Sequence, residues 1–233
     1  MIIGGAGGVA SLLIPYLKHH HTIRVYDLKL PADGEIDHVI GGVDDYVALT
    51  QALQGSETLI YMAMGTLNWT ELQGIQTGFD ANVKGVYIAL RAARDAGIKH
   101  AIYTSSMSVY DGDLMCRNFY NEDIPPDGRN LYALTKYFGE LVCRNACVEF
   151  GMTINALRLC FPVSDIRWQE LAIAGELTLH TAASDLARAF EAALNHRKGY
   201  QVYTISGEYR QKIMNMTKAS SELGWEPLAR PAV

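Results

Sequence analysis

The sequence predicts an α/β protein built on a doubly wound parallel sheet, followed by a small C-terminal substrate-binding portion. Three observations predict this fold. Short apolar runs alternate with helical patterns of ten or more residues, as βαβ units require. A glycine cluster, Gly4-Gly5-Ala6-Gly7-Gly8, separates the first apolar run from the first helical one. Neither an internal repeat nor a low-complexity tract interrupts the alternation.

The elements follow in order. Met1-Ile2-Ile3 is a first strand. It is short for a buried central strand, which predicts residues missing at the start of the chain or within loops. Leu12, Leu13, Tyr16 and Leu17 then recur at helical spacing, with Pro15 limiting that helix to an early turn or kinking it. Residues 22–26 form the second strand, Asp45 to Leu53 a helix, and Glu57 to Met62 the third strand. Trp69 to Gly78 is polar and glycine-containing, a loop with a partial helix.

From Asp80, an apolar register of Val83, Val86, Tyr87, Leu90 and Ala93 makes a helix that stops at Gly97. The fourth strand covers 99–104, and a long loop over 111–130 leads into a helix from Leu131 to Phe150. A loop of that length in a compact domain is often functional. Residues 152–159 form a fifth strand, Ser184 to Asn195 a helix, and Gln201 to Ile205 a last strand. The division is a dinucleotide-binding unit over 1–160 and a smaller portion over 161–233, whose stretch 182–205 returns to the sheet.

Composition excludes several functions. With 49% apolar and 19% charged residues, the 233-residue chain can bury a sizeable core. A net charge of −5 and the lack of a basic run argue against nucleic acid. An apolar run long enough to span a bilayer and a secretory leader are both missing from the sequence. Cys116, Cys143, Cys147 and Cys160 lack C-x-x-C spacing and read as free thiols of a reducing compartment, which predicts a cytoplasmic protein. His19-His20-His21 lies in a helix-to-strand turn without a Cys or carboxylate cluster, so no metal is expected.

Two patterns carry chemistry. The first is Gly4-x-x-Gly7-x-x-Ala10 between a strand and a helix. Such a turn lets the backbone approach a pyrophosphate, which the helix N-terminus then attracts. Asp27, closing the second strand about 20 residues later, is placed to accept hydrogen bonds from an adenosine ribose. Its charge repels a 2′-phosphate, so NAD is expected over NADP, a preference that nearby Lys29 tempers. The second pattern is Tyr132-Ala-Leu-Thr-Lys136. Residues four apart share a helix face, and a cation beside a phenol favours the phenolate, a base for a hydroxyl or carbonyl group.

Taken together, these pieces resemble the extended short-chain dehydrogenase/reductase family, the NAD-dependent epimerase/dehydratases, over nearly the whole chain. The resemblance rests on Gly4-x-x-Gly7 with Ala10, Asp27, Asn82, Ser105-Ser106-x-x-Val109-Tyr110 and Tyr132-x-x-x-Lys136. It extends to Ser184-Asp185-Leu186-Ala187-Arg188-Ala189 and Leu223-Gly224-Trp225-x-Pro227. It implies a Rossmann-type fold with Tyr132 as general base or acid, Lys136 lowering its pKa and holding the nicotinamide ribose, and Ser106 steadying the reacting oxygen. It also implies cofactor contacts from Gly4, Gly7, Gly8, Val9, Asp27, Val43, Ala63 and Asn82, and a substrate contact from Met107.

Four departures qualify the likeness. Met107 and Ser108 stand where the family's dehydratases carry acids, which disfavours dehydration. Gly42 stands where many members keep an acid near adenine, leaving backbone groups near Val43. Cys160-Phe161-Pro162-Val163-Ser164 lacks the family's Asn and Gly-Pro. The substrate portion is small, which suits a sugar acid or lactone-like molecule, as in the hexuronate-dehydrogenase branch that this tail loosely resembles. Arg167 is then the candidate grip for a substrate carboxylate.

The expected function is NAD-dependent oxidation or epimerisation at a secondary hydroxyl of a sugar or sugar-derived substrate, with nucleotide-sugars and uronate-like molecules both open. The alternative is a non-catalytic dinucleotide-binding sensor. Apolar residues on a second face of helices 80–97 and 131–150 (Tyr87, Leu90, Tyr137, Leu141 and Val148), with the family's habit, predict a homodimer through those helices.

Overall fold

A computed structural model describes residues 1–66, 68–173 and 176–232. The chain begins with β1 (Ile2–Ile3), α1 (Gly8–Leu17), β2 (Arg24–Asp27), β3 (Asp37–Ile40), α2 (Tyr46–Leu53) and β4 (Thr58–Tyr61). It continues with α3 (Leu72–Phe79), α4 (Gly85–Asp95), β5 (His100–Ser106), α5 (Leu131–Phe150) and β6 (Thr153–Leu159). The last elements are β7 (Pro162–Val163), α6 (Asp165–Leu171), β8 (Thr181–Ala182), α7 (Ala183–Asn195) and β9 (Tyr200–Ile205).

Seven strands pair in parallel in the order β3-β2-β1-β4-β5-β6-β9, and β7 pairs with β8 in a two-stranded sheet. Parallel strands need helical crossovers, and these cover both faces. Leu13, Leu17, Leu186 and Phe190 of α1 and α7 pack with Ile102 on one face. Leu53, Leu90 and Cys143 of α2, α4 and α5 pack with Ala101 and Tyr103 on the other. Alternating side chains of β5 thus serve two cores, which is why that strand is buried over all but its last residue.

β1 needs only two residues because β2 and β4 flank it on both sides. Pro15 sits inside α1, which nevertheless runs on to Leu17. β3 was not expected from its residues, Asp-His-Val-Ile, which are largely exposed at the sheet edge. The stretch 69–78, expected to be a loop with a partial helix, carries most of α3. That helix passes through a π-helical turn, Asp80–Lys84, into α4. Leu90 is buried in the core, so it does not belong to a second apolar face as the sequence reading had it.

Candidate active site

The order of strands reverses between β1 and β4, and a crevice opens beyond the carboxyl ends of the sheet at such a point. Here the cleft measures about 630 Å³. Its lining includes Gly4, Gly7, Gly8, Val9, Asp27, Val43, Ala63, Ser106, Met107, Tyr132 and Lys136. Asn82 and Arg167 are not part of this lining.

The glycine turn is dictated by space. Gly4 holds φ at +82°, and a Cβ there would lie 2.3 Å from the Ala63 amide nitrogen. Only glycine accepts both the left-handed backbone and that approach. Gly7 caps α1 without any side-chain hydrogen bond, and a Cβ on Gly8 would meet nothing within 4 Å. The first amides of α1 therefore face an open cradle, which suits the pyrophosphate of a dinucleotide. Ala10, in the place of a third glycine, is fully buried in the core. Asp27 accepts hydrogen bonds from the amides of Ala6 (3.0 Å) and Lys29 (3.1 Å), which fix its carboxylate at the end of β2.

At the other end, Asn130 caps α5 by accepting from the Ala133 amide, so Tyr132 and Lys136 project from its first turns. Lys136 is buried and gives a hydrogen bond to the Thr104 carbonyl at 2.8 Å. Burial lowers its pKa to about 8. Its ammonium stands 5.8 Å from the centre of the Tyr132 ring. The phenol of Tyr132 is itself raised above its usual value by burial, and a hydrogen bond with Ser106 is the influence that lowers it. The sequence reading expected Lys136 to set that pKa. In this structure burial is the largest influence on the phenol, and Tyr132 lines the cleft. Trp69, not singled out by the sequence reading, packs on Tyr132 with ring centres 5.7 Å apart.

Asn82 works from behind the site. Buried in the π-helical turn, it donates to Thr135 Oγ1 (2.9 Å) and accepts from the Gly65 amide (3.3 Å). It joins the cleft loop to the helix that carries Tyr132, a common use of π-bulges. Arg167 lies in α6 and pairs with Glu170 at 2.8 Å, both largely exposed.

A second buried group was also missed. Arg158 of β6 meets Glu140 of α5 through two hydrogen bonds of 2.8 Å, and Glu140 also accepts from Ser105 Oγ at 2.6 Å. The signal was present in the sequence, since Arg158 interrupts an apolar strand and Glu140 lies one turn beyond Lys136.

Among the described residues, no helix is long and apolar enough to cross a membrane. No three His, Cys, Asp or Glu side chains among them are gathered to hold a metal ion.

Comparison with known proteins agrees with this geometry. The profile of the NAD dependent epimerase/dehydratase family matches residues 1–170. A 3-beta-hydroxysteroid dehydrogenase of Mycolicibacterium neoaurum is 30% identical over 169 residues, covering 68% of this chain and 46% of that one. An N-acetyl-alpha-D-glucosaminyl-diphospho-ditrans,octacis-undecaprenol 4-epimerase of Escherichia coli O157:H7 is 29% identical over 158 residues, covering 66% of this chain and 46% of that one. The chain thus spans about half the length of the curated relatives it matches. Among solved structures, MoeE5 in complex with UDP-glucuronic acid and NAD superposes with a TM-score of 0.79 at 18% identity, over 98% of this chain and 93% of that one. The glycine cradle and Asp27 fit NAD, the cofactor of the family, and with its profile matched over most of its length the chain belongs to the NAD dependent epimerase/dehydratase family.

Proposed function

We propose that the protein moves a hydride between NAD and the carbinol carbon of a ring-borne secondary alcohol. The observation that carries this reading is the convergence of Ser106, Tyr132 and Lys136 on the cleft that begins at the glycine turn. NAD, when bound, would supply the acceptor for the hydride of the carbinol carbon, leaving a ketone. Tyr132, once ionised to the phenolate, would take the hydroxyl proton, and Ser106 would hold the oxygen as its charge changes. Lys136, anchored on Thr104, lends positive charge on the side of the phenolate.

Net oxidation and epimerisation share these residues and differ in whether hydride returns to the opposite face before release. The sugar-like substrate expected from the sequence and the steroids named for several relatives both offer such a carbinol. Dehydration lacks support, because Met107 and Ser108 supply no acid beside Ser106. The non-catalytic sensor is less well supported, since both Tyr132 and Lys136 line the cleft.

Incubation with NAD and a panel of sugars, uronates and hydroxysteroids tests the proposal. Accumulating NADH identifies a dehydrogenase, and an altered isomer without net NADH identifies an epimerase. Tight NAD binding with no turnover across the panel would favour the sensor.

We also propose that the protein dimerises through helices 80–97 and 131–150. Support comes from the exposed Leu134, Leu141 and Val148 on α5 and Phe79 at the end of α3.

A further inference from the structure

The lining of the cleft contains a backbone anomaly. Phe161 holds φ at +41°, one of two non-glycine residues in the left-handed region among those described. It sits where the chain leaves β6 and turns into β7, and the Thr181 amide bonds to the carbonyls of both Cys160 and Phe161. The turn therefore requires the left-handed conformation, which glycine adopts freely and an aromatic residue adopts against steric cost. That side chain is not repaid by burial, since Phe161 is 51% exposed, lines the cleft and packs only on the ring of His180 among the described aromatic residues, 5.4 Å away. Strained residues of this kind cluster where the side chain serves a ligand.

The surrounding chemistry indicates which ligand. Besides Phe161 the lining includes the apolar Met107, Leu114, Leu159, Cys160 and Pro162, together with the hydroxyls of Ser105, Ser106 and Ser108. The charged lining residues are Asp27 and Lys29, at the glycine-turn end, and Lys136, which is bonded to Thr104. Arg167 is engaged by Glu170 outside the lining, and His180 is held below its usual pKa by burial and by Arg167. Among the described residues of the lining, a diphosphate or carboxylate would therefore meet no cation beyond Lys29 and Lys136, whereas an apolar ring face would find an aromatic surface. We propose that Phe161 is the substrate-facing wall of the cleft, and that the site takes an uncharged cyclic secondary alcohol by its apolar face. The inference rests on the hydride-transfer reading given above.

The test compares wild type with Phe161→Gly, Phe161→Ala and Phe161→Tyr. Initial rates of NADH formation are measured with cycloalkanols and 3β-hydroxysteroids, and separately with UDP-glucose. Wild type should favour the apolar alcohols in kcat/KM. Gly and Ala should raise KM for them by about tenfold or more with little change in kcat, and Tyr should restore it. NAD affinity should be unchanged in all three variants. Phe161→Gly should melt about 2–4 °C above Phe161→Ala, because glycine adopts the left-handed turn without the steric cost of a Cβ.

A wild-type KM in Phe161→Gly, equal melting of Gly and Ala, a preference for UDP-glucose, or no turnover of any apolar alcohol would each overturn the proposal. Full turnover by Tyr132→Phe would instead overturn the hydride-transfer reading, with the Phe161 results unaffected.

Discussion

Lys136 donates to the Thr104 carbonyl at 2.8 Å, a contact that ties the first turns of α5 to the end of β5. It places a buried ammonium in a cavity where charge is costly, which is why its pKa falls to about 8. An unfolded lysine titrates at 10.5, so between about pH 8 and 10.5 the unfolded chain binds more protons than the folded one. The penalty of the buried charge is complete below pH 8 and fades as pH rises through that window. Lys136→Met removes it. Chemical denaturation should therefore show wild type gaining stability on the variant from pH 8 to 10.5, with a constant difference between pH 6 and 7.5. A difference independent of pH throughout would mean that Lys136 is not desolvated.

The Glu140–Arg158 pair predicts a non-additive mutant cycle. Removing one partner strands a buried charge, so Glu140→Leu should cost about 3–5 kcal/mol in urea denaturation. The double replacement Glu140→Leu with Arg158→Leu should cost less than the sum of the two singles. Additive losses would show that the pair is not coupled.

The glycine turn predicts two separable effects. Gly4→Ala brings a Cβ onto the Ala63 backbone and should lower both Tm and NAD affinity. Gly8→Ala meets no protein atom, so it should leave Tm within about 1 °C while weakening NAD binding about tenfold or more in a fluorescence titration. Unchanged affinity in Gly8→Ala would remove the pyrophosphate from the head of α1.

Dimerisation can be tested on α5. Val148 is 85% exposed and Leu141 is also exposed. Leu141→Glu with Val148→Glu should convert a dimer to a monomer in analytical ultracentrifugation, with no loss of helix content. A wild-type monomer at micromolar concentration would contradict the proposed assembly.

Much of this was legible in the sequence for identifiable reasons. β4, β5, β6 and α5 carry apolar periods that tertiary contacts reinforce, so their positions follow from residue pattern. The glycine turn and Asp27 were readable from their spacing around two strands, whereas Ser106, Tyr132 and Lys136 took their weight from the resemblance to the family's pattern; all of them line the cleft. β3 was not, since an exposed edge strand has no apolar stripe to announce it. α6 is only seven residues long, too short for a periodic signal. Asn82 was tied to the cofactor by resemblance alone. Its place in a π-helical turn, where it braces Thr135, depends on a helix distortion that no residue pattern reveals. Phe161 was noticed as a departure from the family's run, but its left-handed backbone and its place on the cleft wall required coordinates.

The measurement that tests the central claim most directly is the NADH yield of Tyr132→Phe beside its NAD affinity, on any alcohol that wild type oxidises. The account predicts NAD binding within about twofold of wild type and turnover reduced by about a hundredfold or more, because the ring remains while the proton acceptor is lost. A variant that forms NADH at the wild-type rate would contradict it.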